Sequence, residues 1–213
     1  MIEYVLIEVD MMIDNIEENI LDNLYTARTN RIDIKDTYHH NTSYKNILYV
    51  VKYGVLSLQE LSKIKNTEIT PQELILYDDE NHVNGSDKVS LCKVGLNDLY
   101  ENELEYDPYN PRLTDIIVSD NIKAYRSTTN YGNEFLVKGG IPNYLFKTID
   151  IRLIKLLENK KNIKEVIEYY NKLILIAELI KKLDLDIKIR EMSNENITLD
   201  IEKIIKMPKM IIK

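Results

Sequence analysis

The sequence predicts a mixed α+β domain, because strand-like and helix-like stretches are interspersed along the whole chain. From Asn162 to Leu183 the apolar residues Ile163, Val166, Ile167, Tyr170, Leu173, Ile174, Ala177 and Ile180 trace one face of a long amphipathic helix. The block EFLVK alternates as a strand does, with Glu134, Leu136 and Lys138 on one side and Phe135 and Val137 on the other. The stretch from Tyr38 to Leu58, YHHNTSYKNILYVVKYGVLSL, reads as a short polar strand that runs straight into a helix.

Taken in order, residues 2–9 fit either a strand or the opening of a helix. Ile13, Ile16, Ile20 and Leu24 then keep a helical period from about Asp10 to Arg28. A loop over Thr29 to Asp36 leads into the polar strand. Ser43 has the side chain to cap the next helix, and Gly54 can take the left-handed conformation that ends one. Leu58 to Ile64 reads as a second short helix. Thr70-Pro71-Gln72-Glu73 is a capping box that starts a third, and Asn84-Gly85 is a turn before the strand DKVSLCKV. Gly95 to Pro111, rich in Asn, Asp, Tyr and Pro, reads as a long surface loop. Strands are predicted at Asp115 to Val118, at Ile122 to Tyr125, in IDIRLI from Ile149, and at Leu185 to Ile189. A last helix is predicted over Ile197 to Ile205, with a tail from Lys206. No repeat or low-complexity linker divides the chain. The expected organisation is an acidic helical leader over 1–36, one domain over 37–190 and a C-terminal extension over 191–213.

The chain is long enough to bury a substantial core. Its formal net charge of -7 argues against a protein whose main task is to grip nucleic acid. The charge is uneven: residues 97–120 carry seven acids against Arg112 alone, while from Asp150 onwards fourteen bases face eleven acids. Cys92 is the only cysteine, which excludes an intrachain disulfide and a cysteine-based zinc site and fits a reducing compartment. The opening MIEYVLIEVD has no basic region and carries acids within its apolar part, unlike a signal peptide. The most apolar helical stretch, LILIAELI, is too short and too flanked by charge to span a bilayer. A cytoplasmic location without membrane partners is the expectation.

Two blocks carry a resemblance. Tyr38-His39-His40-Asn41-Thr42, followed by a helix ending at glycine, resembles the first nucleotide-binding motif of the ADP-ribosyltransferase superfamily. Glu134 to Pro142, EFLVKGGIP, is similar to the catalytic strand of its DarT-like and RNA 2'-phosphotransferase-like members: a glutamate, apolar residues, a short gap, then isoleucine or valine with proline. The blocks stand in the right order, about ninety residues apart. The resemblance covers roughly Tyr38 to Leu153. It implies a split, mainly antiparallel sheet with flanking helices, and an NAD cleft between its halves.

It also implies an enzyme that uses NAD as substrate and transfers ADP-ribose to a macromolecule, in a toxin or effector setting. Glu134 would be the catalytic carboxylate, stabilising an oxocarbenium-like state as nicotinamide leaves. His40, Asn41 and Thr42 would bind NAD, with His40 at the adenosine ribose and the backbone near Asn41 at the nicotinamide amide. Ser90 lies on the strand expected to wall that pocket, Arg126 is the arginine nearest the glutamate, and Ser127, Thr128 and Tyr131 would form a substrate-facing loop. No metal is required.

The chain departs from the family pattern in two places. The wall strand Val89–Cys92 lacks the tyrosine that diphtheria-type members stack on nicotinamide, leaving Tyr49, Tyr53, Tyr100 or Tyr106 as alternatives. No arginine occurs between Arg31 and Arg112, where DarT-like members bring one. The negative charge favours a protein acceptor over nucleic acid, and the acidic leader offers a partner surface. The alternatives are an RNA 2'-phosphotransferase-like enzyme and a non-catalytic binding module on the same fold. His39 points away from His40 on a strand and reads as structural, and Arg190 and Glu191 read as packing or ion-pair residues. His82 sits in a polar loop. Walker, GxGxxG and HExxH motifs are absent.

Overall fold

The computed structural model describes residues 4–7, 13–29, 38–63, 87–93, 114–119, 121–127, 134–158, 163–192 and 197–212. The chain begins with β1 (Tyr4–Ile7), α1 (Ile13–Ala27), β2 (Tyr38–Thr42), α2 (Ile47–Tyr53), β3 (Val55–Leu56) and α3 (Leu58–Lys63). Five strands follow: β4 (Lys88–Lys93), β5 (Thr114–Val118), β6 (Tyr125–Arg126), β7 (Glu134–Lys138) and β8 (Gly140–Ile141). After a 3-10 turn at Asn143–Leu145 come β9 (Phe146–Ile151), α4 (Leu153–Glu158) and α5 (Ile163–Lys182). The last elements are β10 (Lys188–Glu191), β11 (Ile197–Leu199), α6 (Ile201–Ile205) and β12 (Lys209–Ile212).

Eight strands form one sheet in the order β11-β10-β9-β5-β2-β4-β7-β6. Every neighbouring pair is antiparallel except β9 and β10, which run parallel. The α+β class is therefore the observed one. Smaller two-stranded sheets pair β3 with β8 and β1 with β12.

The long helix is held to one face of the sheet by its tyrosines. Tyr169 stacks on Tyr44 with ring centroids 4.5 Å apart, and its hydroxyl lies 2.9 Å from the Thr114 hydroxyl on β5. Thr114, Ile116, Ile149 and Ile151 are cross-strand partners on β5 and β9, so they share that face. All are buried, and each aliphatic side chain contributes roughly 1.5–3 kcal/mol of burial. Tyr170 accepts from the Asn23 amide on α1 and donates to the Pro208 carbonyl, tying both ends of the chain to α5. The Asn171 side chain bonds both the amide and the carbonyl of Met210, standing in for a neighbouring strand beside β12.

Several boundaries differ from expectation, each for a local reason. The Ser43 hydroxyl accepts from the Lys45 amide in a tight turn, and α2 starts only at Ile47, with Asn46 as a cap that makes no side-chain bond. Gly54 does end α2 with positive φ (89°), but its ψ of 177° is extended rather than left-handed helical. The requirement is steric as well as conformational, since a Cβ there would lie 2.3 Å from the Ile141 carbonyl oxygen. The strand expected from Ile122 is the shorter β6, beginning at Tyr125. IDIRLI is divided, its first half ending β9 and Leu153 opening α4. The helix expected over Ile197 to Ile205 is split at Asp200, whose carboxylate accepts from the amides of Glu202 and Lys203. Ile197–Leu199 instead joins the main sheet, and the expected tail contains β12. The boundary expected after residue 190 falls inside β10, and the extension beyond it supplies a sheet strand. The capping box at Thr70 and the loop from Gly95 to Pro111 lie outside the described residues. Among those residues, no helix is long and apolar enough to cross a membrane.

Candidate functional site

Three adjacent strands, β2, β4 and β7, bring His40, Ser90 and Glu134 together. Glu134 opens β7 opposite Cys92, and Ser90 is opposite Leu136. Ser90 and Glu134 are thus diagonal neighbours on one face, close enough for side chains to meet. The Ser90 hydroxyl donates to Oε1 of Glu134 at 2.8 Å. The main chain of Glu134 is also anchored, its carbonyl accepting from the Ser127 amide at 2.9 Å. Glu134 is thus held at two points, its carboxylate by Ser90 on β4 and its main chain by the Ser127 amide after β6.

His40 reaches the same serine from the other side. Its Nδ1 lies 3.0 Å from the Ser90 main-chain oxygen. A carbonyl only accepts, so Nδ1 carries the proton, and Nε2 is the acceptor in the neutral ring. Cross-strand pairing between β2 and β4 consists of Tyr38 with Lys93 and His39 with Cys92. Beyond that point the imidazole takes over the bonding of the Ser90 carbonyl. Ser90 therefore joins all three strands, through its hydroxyl to Glu134 and through its backbone to His40. All three residues are half-buried.

The register also separates the histidines. His39 pairs with Cys92, which pairs with Glu134, so His39, Cys92 and Glu134 form one row across three strands on a common face. His40 projects from the opposite side of β2. His39 is buried, at 4% exposure, as a structural residue would be, yet it is the histidine that shares the face of the carboxylate.

No protein-family model matches the chain, and no curated protein or solved structure matches it.

The remaining expected residues divide clearly. Asn41 and Thr42 follow His40 on β2, opposite Asp115 and Thr114 of β5. The helix amides expected directly after Thr42 begin farther along the chain, because a turn separates β2 from α2. Arg126 is exposed on the edge strand β6, paired with Phe135, and Ser127 is buried next to it. Thr128 and Tyr131 lie outside the described residues, as do Tyr100, Tyr106 and His82. Of the other tyrosines considered, Tyr49 is buried in α2 against Tyr53, with ring centroids 4.8 Å apart.

Two aromatic positions near the site escaped the sequence reading. Tyr38 meets Phe135 edge-on at 5.2 Å, on the side of β2 that carries His40. Tyr125 pairs with Leu136 and so belongs to the face of Ser90 and Glu134. Tyr38 lies inside the block that drew attention to His40, but only the register shows which ring it meets.

Elsewhere the sheet holds two buried charged sets. Arg190 grips Asp150 with two hydrogen bonds, one of them from Nε at 2.8 Å, across the parallel β9/β10 pair. Glu191 accepts from the amides of Leu153 (3.0 Å) and Ile154 (3.4 Å) at the start of α4. Burial pushes the Glu191 carboxyl up to about 8, against the opposing pull of those two amides and the Arg152 charge. Burial likewise raises the Tyr169 and Tyr170 phenols above their ordinary value.

Proposed function

We propose that this chain is an NAD-dependent ADP-ribosyltransferase acting on a macromolecular acceptor, with Glu134 as its catalytic carboxylate. The observation that carries the reading is the Ser90 bond to Glu134, made on the strand beside the one that bears His40. A hydroxyl donor at Oε1 fixes the carboxylate without neutralising it, which suits a group that must face developing positive charge. In the reaction the bond between ribose C1' and the nicotinamide nitrogen breaks, and its electron pair leaves with nicotinamide. The acceptor then adds at C1' and loses its proton. Glu134 stabilises the oxocarbenium-like ribose between those events and takes the proton from an oxygen or nitrogen nucleophile. His40, on the neighbouring strand, bonds the Ser90 carbonyl through Nδ1 and so steadies the strand segment that aims the Ser90 hydroxyl at Glu134.

The resemblance of Tyr38–Thr42 and Glu134–Pro142 to the superfamily supports the same reading, as does the antiparallel run of β7, β4, β2 and β5. The test is nicotinamide release from NAD by the wild type and by Glu134→Gln, with and without cell lysate. The expected result is release that rises with lysate and falls about 10²–10³-fold in the variant. Folded wild-type protein that releases no nicotinamide in either condition would sink the reading.

A further inference from the structure

The edges of the main sheet and of the β1/β12 ribbon are finished differently. At the β11 edge, Arg28 bridges to Leu199 and the Thr29 amide donates to the Thr198 carbonyl at 2.8 Å, so the end of α1 covers the strand. At the opposite edge β6 is only two residues long, as are β3 and β8 of the other small sheet. The outer side of β12 is closed by Asn171 on α5. Its side chain donates to the Met210 carbonyl at 2.7 Å and accepts from the Met210 N–H at 2.9 Å. Among the described residues, no strand lies against the outer side of β1. Its sequence, Tyr-Val-Leu-Ile, holds none of the charged residues or prolines that blunt an edge.

The bonding of Met210 decides which groups of β1 face outward. The N–H and C=O of one strand residue point to the same side, and successive residues alternate. Met210 is taken up by Asn171, so β12 bonds β1 through Lys209 and Ile211. With Tyr4 beside Lys209 and Leu6 beside Ile211 in a parallel register, those two residues bond Val5 and Ile7. The amides and carbonyls of Tyr4 and Leu6 therefore point away from β12.

We propose that β1 is the contact strand of a symmetric dimer, its occupant the β1 of a second copy of this chain. A two-fold axis at Val5 runs the two strands antiparallel and sets Tyr4 of each copy opposite Leu6 of the other. Each such pair exchanges two backbone bonds, which satisfies every outward group of Tyr4 and Leu6. The two ribbons become one four-stranded sheet, and the open edge disappears. A foreign strand would have to match this edge by sequence, whereas a second copy matches it by symmetry. Apolar surface continues beyond the strand. Ile211, the cross-strand partner of Leu6, is 42% exposed. Leu175, between Asn171 and Glu178 on the helix stripe that holds β12, is 37% exposed. The contact is small against the roughly 1,200–2,000 Å² of a standard interface, so a micromolar association is expected.

Sedimentation velocity on the full chain, from about 5 to 500 µM, tests the contact. The mean mass is expected to rise from one chain to two and stop there, because a two-fold pairing uses up the edge. Leu6→Pro deletes an outward N–H that β12 does not use. It is expected to keep the chain monomeric throughout, with Tm within about 3 °C of the wild type. Leu6→Lys leaves the backbone intact, sets a charge on the edge and is expected to weaken association at least about tenfold. If the proline variant melts early, the lysine variant alone decides. Leu183→Lys, at an exposed leucine just beyond α5, controls for general stickiness and should associate as the wild type does. A wild-type monomer at every concentration, growth past two chains, undiminished dimerisation by the Leu6 variants, or equal weakening by Leu183→Lys would each overturn the proposal. The measurement needs neither NAD nor activity, so it stands apart from the transferase reading.

Discussion

Glu134 opens β7 and Glu191 closes β10, so two glutamates sit at strand ends of the same sheet, and their partners differ in kind. Glu134 is half-buried and receives a serine hydroxyl from the neighbouring strand. Glu191 is fully buried and receives two backbone amides from a helix start, with its carboxyl pushed up to about 8. A search for perturbed acids would select Glu191 first. Its contacts argue otherwise, because both oxygens are occupied in joining β10 to α4. Glu191 is a structural acid, and the proposed chemistry belongs to the half-buried one.

The comparison breaks most visibly by truncation. Glu191→Ala leaves the Leu153 and Ile154 amides without a partner in a dry interior and opens a cavity, at a cost of about 3 kcal/mol. In a chain of this size that lowers Tm by roughly 6–12 °C in thermal unfolding. Glu134→Ala exposes its hydroxyl partner to solvent and should lower Tm by no more than about 3 °C. Equal losses in the two variants would show that both acids serve the fold.

The pH dependence sharpens the same contrast. The folded chain keeps the Glu191 proton up to about 8, whereas an unfolded chain releases it near 4.5. The contribution to stability is therefore complete below about 4.5 and is lost as pH rises toward 8. Wild-type Tm should decline across that window, and Glu191→Gln, neutral throughout, should flatten the decline and melt above the wild type at its alkaline end. A wild-type curve already flat there would mean that the helix amides outweigh desolvation and keep the group ionised.

Sequence periodicity made the framework legible where one element buries a continuous face. The α5 helix and the strands at Lys88 and Glu134 lie where their patterns put them. Short elements were less legible, because Ile197, Leu199, Ile201 and Ile204 fit a helix as readily as a three-residue strand followed by a capped turn. The signal that decides between them is Asp200, a strong N-cap residue. The site was legible in residue type but not in orientation. Alternation separates His39 from His40, yet only pairing with β4, about fifty residues away, shows which of them shares the face of Glu134. Nothing local marks Glu191 as a helix anchor, since the amides it binds belong to residues far back in the chain.

The smallest expected effect on stability is also the most informative about the site. Ser90→Ala removes one half-buried hydroxyl, and the main-chain carbonyl that bonds His40 stays in place. Stability should change by about 0.5–1 kcal/mol, the net worth of one such bond. Release of nicotinamide should fall much further, because a carboxylate freed from Ser90 samples rotamers that turn it away from the ribose. Ser90→Thr keeps a hydroxyl on a β-branched side chain suited to a strand and should recover part of the rate. If the alanine variant loses stability and activity in proportion, Ser90 acts only through the fold. A large rate loss at nearly constant Tm, with partial recovery by threonine, is the signature of a residue that aims Glu134.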